Sequence, residues 1–517
     1  MDRRNFIRTT AALSALAGLA EDVAAAATAI DPTELTMAAL LRGLVSGAFT
    51  SETLTMAYLA RIARFDAHGP EHRAVLALNP NALADARLCD EQRRSNRVRG
   101  VLHGLPVILK DNIETLDPMP TTAGSFALAR ATHRADAPLA ARLRASGAII
   151  LGKANLSEWA NFRSTRSSSG WSGVGGQTRN AYAPDRNPSG SSAGSAVAAA
   201  ASFCAAAVGT ETDGSILSPA SVNGLVGLKP TVGLVSGTGV VPISPRQDTA
   251  GPMCRTVADA ALLIAAMAEG PIGYGAHGSD LESFRLQGVR IGVMPVPSSA
   301  HPDTAALFAE ARSALEREGA VLVDLKPPTA FEDMGKPEFD ALLYEFKDAI
   351  NGYLAAQEPS LVECRTLADL IAFNRLHADA ELSVFGQEIF EQAEACGPLT
   401  EPKYTAALAA LRRAADTEGL AALLAQQRVE LLLAPSNGPA ERIDEVWGDR
   451  GETGWPQIAS AAAIAGYPSL TVPAGVVGGL PVGITLVGHR HQDGLLLQVA
   501  RSYERATKAR VPPRLVL

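Results

Sequence analysis

The chain has 517 residues, 47% of them hydrophobic and 19% charged, with a formal net charge of −8. That length is far above the roughly 40–70 residues below which a core needs disulfide or metal staples. An acidic balance without long basic runs argues against a nucleic-acid surface, and the densest basic cluster, Arg93-Arg94 with Arg97 and Arg99, reads as a solvated helix end. Five cysteines at wide spacing, with no Cys-x-x-Cys pair, give neither a disulfide framework nor a zinc site. Cys204 and Cys254 lie among small apolar residues and read as buried hydrophobes.

Residues 1–29 carry Arg3-Arg4, Phe6-Ile7, an Ala/Leu stretch over Ala11–Ala20 and the small-residue run Ala24–Ala29. These are the three parts of a secretory signal. The paired arginines resemble a twin-arginine export signal, although Asp2 stands where Ser or Thr is usual and Arg8 where Lys is common. Cleavage after Ala29 is predicted, with the mature chain exported to the periplasm or medium. Elsewhere no run of eighteen strongly apolar residues occurs, and Ala193–Ala207 is interrupted by Ser, Gly and Cys, so no membrane span is predicted.

Two helical patterns open the mature chain, Leu35–Val45 and Glu52–Ile62, with Thr50 and Ser51 supplying cap chemistry between them. Strand-like and helix-like segments then alternate: Ala74–Leu78, a helix over Asn81–Arg93, Leu105–Leu109, a helix over Ala137–Ala145 closed by Gly147, and Ala148–Leu151. The rhythm predicts an α/β fold with a mostly parallel mixed sheet flanked by helices, as one large α/β/α domain over 30–517. Residues 301–427 are mainly helical in pattern and read as an insertion, bracketed by the strands Val289–Val293, Ala320–Leu325 and Val429–Ala434. The terminal segment 466–488 reads as two strands and a turn, followed by a helix over Gly494–Ala506.

Ser164–Ser195 is rich in Ser and Gly, the composition of a linker. It also carries Trp171, Gln177, Thr178, Arg179, Asn180 and Tyr182 and runs into a small-residue helix, so it reads as structured. Three segments stand out. In Gly104-Leu-Pro106-Val-Ile-Leu-Lys110-Asp111-Asn112 a lysine ends an apolar run, where its ammonium is desolvated unless it reaches the surface. In Gly190-Ser191-Ser192-Ala-Gly194-Ser195 a serine precedes a helix of Ser, Ala and Gly, whose N-terminus points positive potential at it. In Gly209-Thr-Glu211-Thr-Asp213-Gly214-Ser215-Ile216 successive backbone N–H groups approach a serine through a Gly-containing turn, a nest for an oxyanion.

Together the three segments resemble the amidase signature family, over about Leu35–Ala506. The resemblance implies a Ser-Ser-Lys triad, with Lys110 as base, Ser191 as relay after a cis peptide bond, and Ser215 as nucleophile. Ser191 and Ser215 stand 24 residues apart, the family's usual spacing. Most members read Asp-x-Gly-Gly-Ser before the nucleophile, whereas this chain reads Glu211-Thr-Asp213-Gly214-Ser215. That variant, with Gly175-Gly-Gln-Thr-Arg-Asn180 and Gln247-Asp-Thr-Ala-Gly-Pro-Met253, is most similar to bacterial peptide amidases, which remove the C-terminal amide of peptides. The implied activity is amide hydrolysis through an acyl-enzyme, on a peptide or small-molecule amide, with no metal and no cofactor. Other aliphatic or aryl amides stay open as substrates.

The chemistry needs these residue types. A serine attacks an amide only when a base takes its proton, and a lysine is a base only when neutral. Holding it so at pH 7 needs about 4–5 kcal/mol of environmental bias. The oxyanion would sit on the N–H groups of Thr212, Asp213, Gly214 and Ser215. Trp171, Gln177 and Tyr344 are candidate pocket residues. Three rival readings remain, one of them a non-catalytic protein that binds anions in the Gly/Ser loops, which the intact Lys110, Ser191 and Ser215 disfavour. Gly190-Ser191-Ser192-Ala193-Gly194 fits a nucleophile elbow, with Ser192 as nucleophile and His489 or His491 as base, but no strand precedes it. An amidotransferase glutaminase component belongs to the same family, but works in the cytoplasm on charged tRNA. Replacing Arg3 and Arg4 together by lysine is expected to retain the precursor inside the cell, scored by fractionation; normal export of that variant would remove the twin-arginine assignment.

Overall fold

The computed structural model describes residues 30–273, 279–450 and 457–515; the expected export signal lies outside them. Eleven strands form one sheet: β1 Val75–Leu78, β2 Pro106–Lys110, β3 Ile149–Ala154, β4 Ala206–Glu211, β5 Val226–Lys229, β6 Thr249–Cys254, β7 Arg290–Val293, β8 Val321–Asp324, β9 Leu431–Pro435, β10 Ser469–Val477 and β11 Leu480–Gly488. Their spatial order is β1-β3-β2-β4-β6-β5-β10-β11-β9-β7-β8. Every residue of β2, β3, β4, β5, β6 and β9 is buried.

The mixed sheet flanked by helices is the architecture expected, but its parallel share is smaller. Only β3-β2, β2-β4, β9-β7 and β7-β8 are parallel; the other six neighbouring pairs are antiparallel. The connections explain the difference. β2 reaches β3 through the helix Pro138–Ala145, and β3 reaches β4 through the helix Ala193–Ala200, crossovers that return the chain in the same direction. β10 and β11 instead form a hairpin, whose turn residues Gly478 and Gly479 have φ of 57° and 84°, the region that two-residue hairpin turns require.

Local chemistry sets the helix ends. Thr50 and Thr53 form a capping box at the start of the helix Ser51–Phe65. The helix Ala193–Ala200 lies wholly inside, and a Cβ at Gly194 would stand 2.4 Å from the carbonyl oxygens of Ala74 and Asn155. Only glycine permits that approach.

The helical insertion begins later than about 301. The helix Pro302–Arg317 places Phe308, Ala311, Ala314 and Leu315 in the main core, and β8 pairs with β7, so both belong to the scaffold. The insertion lies between β8 and β9. Within the insertion the stretch 382–395 is helical only over Glu388–Glu394; Gly386 weakens the preceding turn, and Phe385 turns its ring onto Trp171, 5.0 Å between centroids. Two further apolar clusters bind the insertion to the scaffold. One joins Tyr344, Leu411 and Leu420 to Leu432 and Val487, and the other joins Phe346, Ile350 and Phe390 to Leu128, Trp159 and Val241.

A buried ionic group completes that junction. Arg163 lies 4.3 Å from the Phe385 ring and 5.4 Å from the Trp171 ring and pairs with Glu158 of the scaffold and, at 3.6 Å, Glu381 of the insertion. Glu381 accepts from Ser125 Oγ at 3.0 Å and Phe126 N at 2.7 Å, and Glu158 from Gly173 N at 2.6 Å. Burial pushes the Glu158 carboxyl well above the usual range; Arg163 opposes the shift and Glu381 adds to it. Removing the single cation leaves two buried carboxyls uncompensated. Arg163→Met is therefore expected to cost about 3–5 kcal/mol of stability, read as a lowered urea midpoint.

Candidate active site

Lys110 ends β2 between β3 and β4, with no solvent exposure. Its Nζ lies 2.7 Å from Ser191 Oγ, 2.9 Å from Thr210 Oγ1 and 3.3 Å from the Thr210 carbonyl. Asn112 Nδ2 also donates to Thr210 Oγ1, at 3.0 Å. Thr210 and Asn112 are thus site residues that motif reading passed over, although both lie inside the segments it singled out. Burial lowers the Lys110 pKa to about 7, and the Asp248 and Glu211 carboxylates oppose the shift. Asp248 accepts from Thr212 Oγ1 at 2.5 Å and from the N–H groups of Ile243 and Ser244.

Ser191 is fully buried and follows a cis peptide bond from Gly190, as the family resemblance implied. Its carbonyl accepts from Ser157 N at 3.1 Å. The serines of the second and third segments meet through the backbone, Ser192 N donating to the Ser215 carbonyl at 3.2 Å. Ser215 keeps 9% exposure, while Ser191 and Lys110 keep none. The turn before it is held from below, because Glu211 Oε2 accepts from the N–H groups of Ile216 and Leu217 at 2.7 and 3.0 Å. Gly214 takes φ of 77°, open to glycine without strain. Among the described residues the N–H groups of Asp213, Gly214 and Ser215 donate to no partner, so they are free to meet a ligand oxygen.

The elbow reading fails on geometry. Ser192 Oγ is buried, donating to the Thr210 carbonyl at 2.9 Å and accepting from Thr210 N at 3.1 Å. His489 lies against Tyr467, 4.9 Å between centroids, and among the described residues neither His489 nor His491 hydrogen-bonds to Ser192. None of the three pocket candidates hydrogen-bonds to Lys110, Ser191 or Ser215 among the described residues. Trp171 is buried against Phe385 and Arg163. Gln177 binds the carbonyls of Ser169 and Thr178. Tyr344 lies in the insertion, stacked near Tyr404 and bonded to Glu401 at 2.6 Å.

A buried lysine within hydrogen-bond distance of a serine suits hydrolytic chemistry, and comparison with known proteins shows the class. Residues 53–497 match the model of the Amidase family, and the chain belongs to that family. It is an amide-hydrolysing enzyme. A probable amidase of Arabidopsis thaliana is 40% identical over 90% of this chain and 89% of its own length. The solved peptide amidase of Stenotrophomonas maltophilia is 46% identical, with a TM-score of 0.87 over 94% of this chain and 99% of its own. A glutamyl-tRNA(Gln) amidotransferase component of Pseudomonas fluorescens is 33% identical over 91% of this chain and 97% of that protein.

The burial of Lys110 has a measurable sign. Its folded pKa of about 7 lies below the ordinary 10.5, so between those values the unfolded chain binds a proton that the folded one does not. Stability therefore rises with pH across that window. Lys110→Met removes this contribution, so the parent is expected to gain stability relative to the variant between pH 7 and 9, measured by urea unfolding, with no such gain between pH 5 and 6.

Proposed function

We propose that the enzyme is a serine amidase that hydrolyses the C-terminal carboxamide of peptides through an acyl-enzyme on Ser215, releasing ammonia. The observation that carries the mechanism is the environment of Lys110 Nζ. A neutral amine has two N–H bonds and one lone pair, and Thr210 offers two acceptors at 2.9 and 3.3 Å. With both N–H bonds spent there, the lone pair is left for the Ser191 hydroxyl at 2.7 Å.

Ser215 Oγ attacks the carboxamide carbon as its proton passes to Ser191, whose own proton passes to Lys110. The carbonyl oxygen becomes an oxyanion held by the N–H groups of the 212–215 turn, a contact worth about 3–4 kcal/mol per donor. The proton returns through Ser191 to the nitrogen, the C–N bond breaks and ammonia leaves. Water then repeats the sequence on the ester, giving the free acid and restoring Ser215. The peptide substrate class is supported by the likeness to the Stenotrophomonas maltophilia peptide amidase. Export to the periplasm, supported by residues 1–29, separates this reading from the tRNA-linked role named for the Pseudomonas relative.

Ser215→Ala is expected to abolish both turnover and labelling by a fluorophosphonate, whereas Ser192→Ala keeps labelling; the reverse pattern would move the nucleophile. Activity on a peptide amide, followed as ammonia release with product mass, is expected to rise through about pH 7 and stay high into the alkaline range. Neutral Lys110 is the working base. Lys110→Ala removes that rising limb together with most of the rate, and an unchanged profile in that variant would make the lysine structural.

A further inference from the structure

The N–H groups of Asp213, Gly214 and Ser215 serve an oxyanion only where they are aimed at it, and each is aimed by the carbonyl that shares its peptide plane. In a trans peptide the C=O and the following N–H point in opposite directions, and the peptide bonds of this turn are trans. Whatever holds the Gly214 carbonyl therefore directs the Ser215 N–H, and whatever holds the Thr212 carbonyl directs the Asp213 N–H. The Gly214 carbonyl is held by main chain, Ser218 N donating to it at 2.9 Å. The Thr212 carbonyl is held by a side chain, Gln247 Nε2 donating to it at 3.3 Å.

Gln247 is fully buried, and its Oε1 has no partner among the described residues, so the nitrogen alone places the side chain. The second bond of that nitrogen goes to Glu338 Oε1 at 2.9 Å. Both partners are acceptors, which fixes the nitrogen end of the amide. Glu338 lies in the first turn of the helix Gly335–Ala356, in the insertion. The neighbours of Gln247 run between the same two elements. Asp248 accepts from Thr212 Oγ1 at 2.5 Å, so consecutive residues grip Thr212 by its carbonyl and its hydroxyl. Arg246 Nε pairs at 2.8 Å with Glu345, two turns further along the helix. Ser244, whose carbonyl accepts from the N–H groups of Gln247 and Asp248, donates its hydroxyl to Glu345 as well. Segment 244–248 is thus a strap between the insertion helix and the turn before Ser215.

We propose that Gln247 is a positioning residue for amide hydrolysis: anchored on Glu338, it holds the Thr212 carbonyl so that the Asp213 N–H is aimed at the oxygen of the scissile carbonyl as that oxygen becomes an oxyanion. The assignment rests on the Ser215 reading above. It gives the helical insertion a part in catalysis through the turn it braces. Charge develops on that oxygen only in the transition state, so the contribution falls on kcat and leaves KM nearly unchanged.

The test uses the purified full chain, the peptide amide N-acetyl-glycyl-L-leucinamide and a fluorophosphonate, whose labelling rate needs no substrate. Gln247→Leu keeps the N–H groups of the turn and loses only their bracing, so kcat is expected to fall by about tenfold to a hundredfold, below the loss of a whole oxyanion donor. KM is expected to stay within about threefold, and the labelling rate to fall with kcat. The rising limb of the pH profile stays near pH 7, because Lys110 remains dry; a lesion that merely loosened the core would let water reach Lys110 and move the limb toward the ordinary 10.5. Glu338→Ala, which frees Gln247, is expected to lower kcat in the same way, and Glu338→Gln, which keeps an acceptor oxygen, to recover most of that loss. If Gln247→Leu fails to fold, the Glu338 pair decides: equal losses in both variants, or none in either, overturn the proposal. An unchanged kcat and labelling rate in folded Gln247→Leu, a loss confined to KM, or a limb shifted upward overturns the positioning role alone. Turnover and labelling that survive in Ser215→Ala overturn the nucleophile reading and the positioning role with it.

Discussion

The contact between Lys110 Nζ and Ser191 Oγ is the constraint that the rest of the site serves. A lysine is useful to a serine only if it gives up its proton near neutral pH, and the fold brings this about by leaving the ammonium dry. β2 lies between β3 and β4, so the end of the strand is walled on both sides and no water reaches Nζ. The nearby carboxylates of Asp248 and Glu211 pull the other way. Each is drawn to local hydrogen bonds instead: Asp248 with Thr212 and the N–H groups of Ile243 and Ser244, and Glu211 with the first N–H groups of the helix after Ser215. The same hydrogen bonds fix the turn that carries Ser215.

Holding Ser191 over that lysine requires close packing behind it. The helix Ala193–Ala200 begins two residues later and meets the backbone of Ala74 and Asn155 at Gly194. Ser192 locks the segment to Thr210, and Ser157 N holds the Ser191 carbonyl. The small residues of this stretch therefore work as spacers, which sets them apart from the flexible linker that their composition suggests. Ser157 in turn adjoins Glu158, one of the two carboxylates gripping Arg163. The junction that docks the helical insertion is thereby joined covalently to the backbone that positions Ser191.

Much of this was legible in the sequence, and the failures have physical causes. Elements bounded by turns or caps, such as the pair around Thr50, the first β-α alternation and the final hairpin, form where the pattern places them, because local chemistry specifies them. The direction of strand pairing is not local. β6 pairs antiparallel with both β4 and β5, and the chain reaches it from β5 through a loop with no crossover helix. The start of the insertion was misjudged for a related reason: an amphipathic helix such as Pro302–Arg317 has the same pattern whether it covers the sheet or leaves it.

The lysines mark the same limit within the site. Lys110, Lys153 and Lys229 each follow an apolar run in a strand, and all three are fully buried. By pattern alone each has an equal claim to be a base, and burial lowers the pKa of all three. Lys153 is saturated by the Ile113 carbonyl at 2.5 Å and Thr121 Oγ1 at 2.9 Å, with Asp111 at 3.8 Å. Lys229 meets the Pro230 carbonyl at 3.2 Å and lies in the fields of Glu211, Asp493 and Asp213. Neither touches a serine. A dry lysine is therefore common in this sheet, and a depressed pKa cannot by itself distinguish a base from a structural cation. What distinguishes Lys110 is the serine hydroxyl at the end of its reach, which only the tertiary fold brings there from 81 residues away.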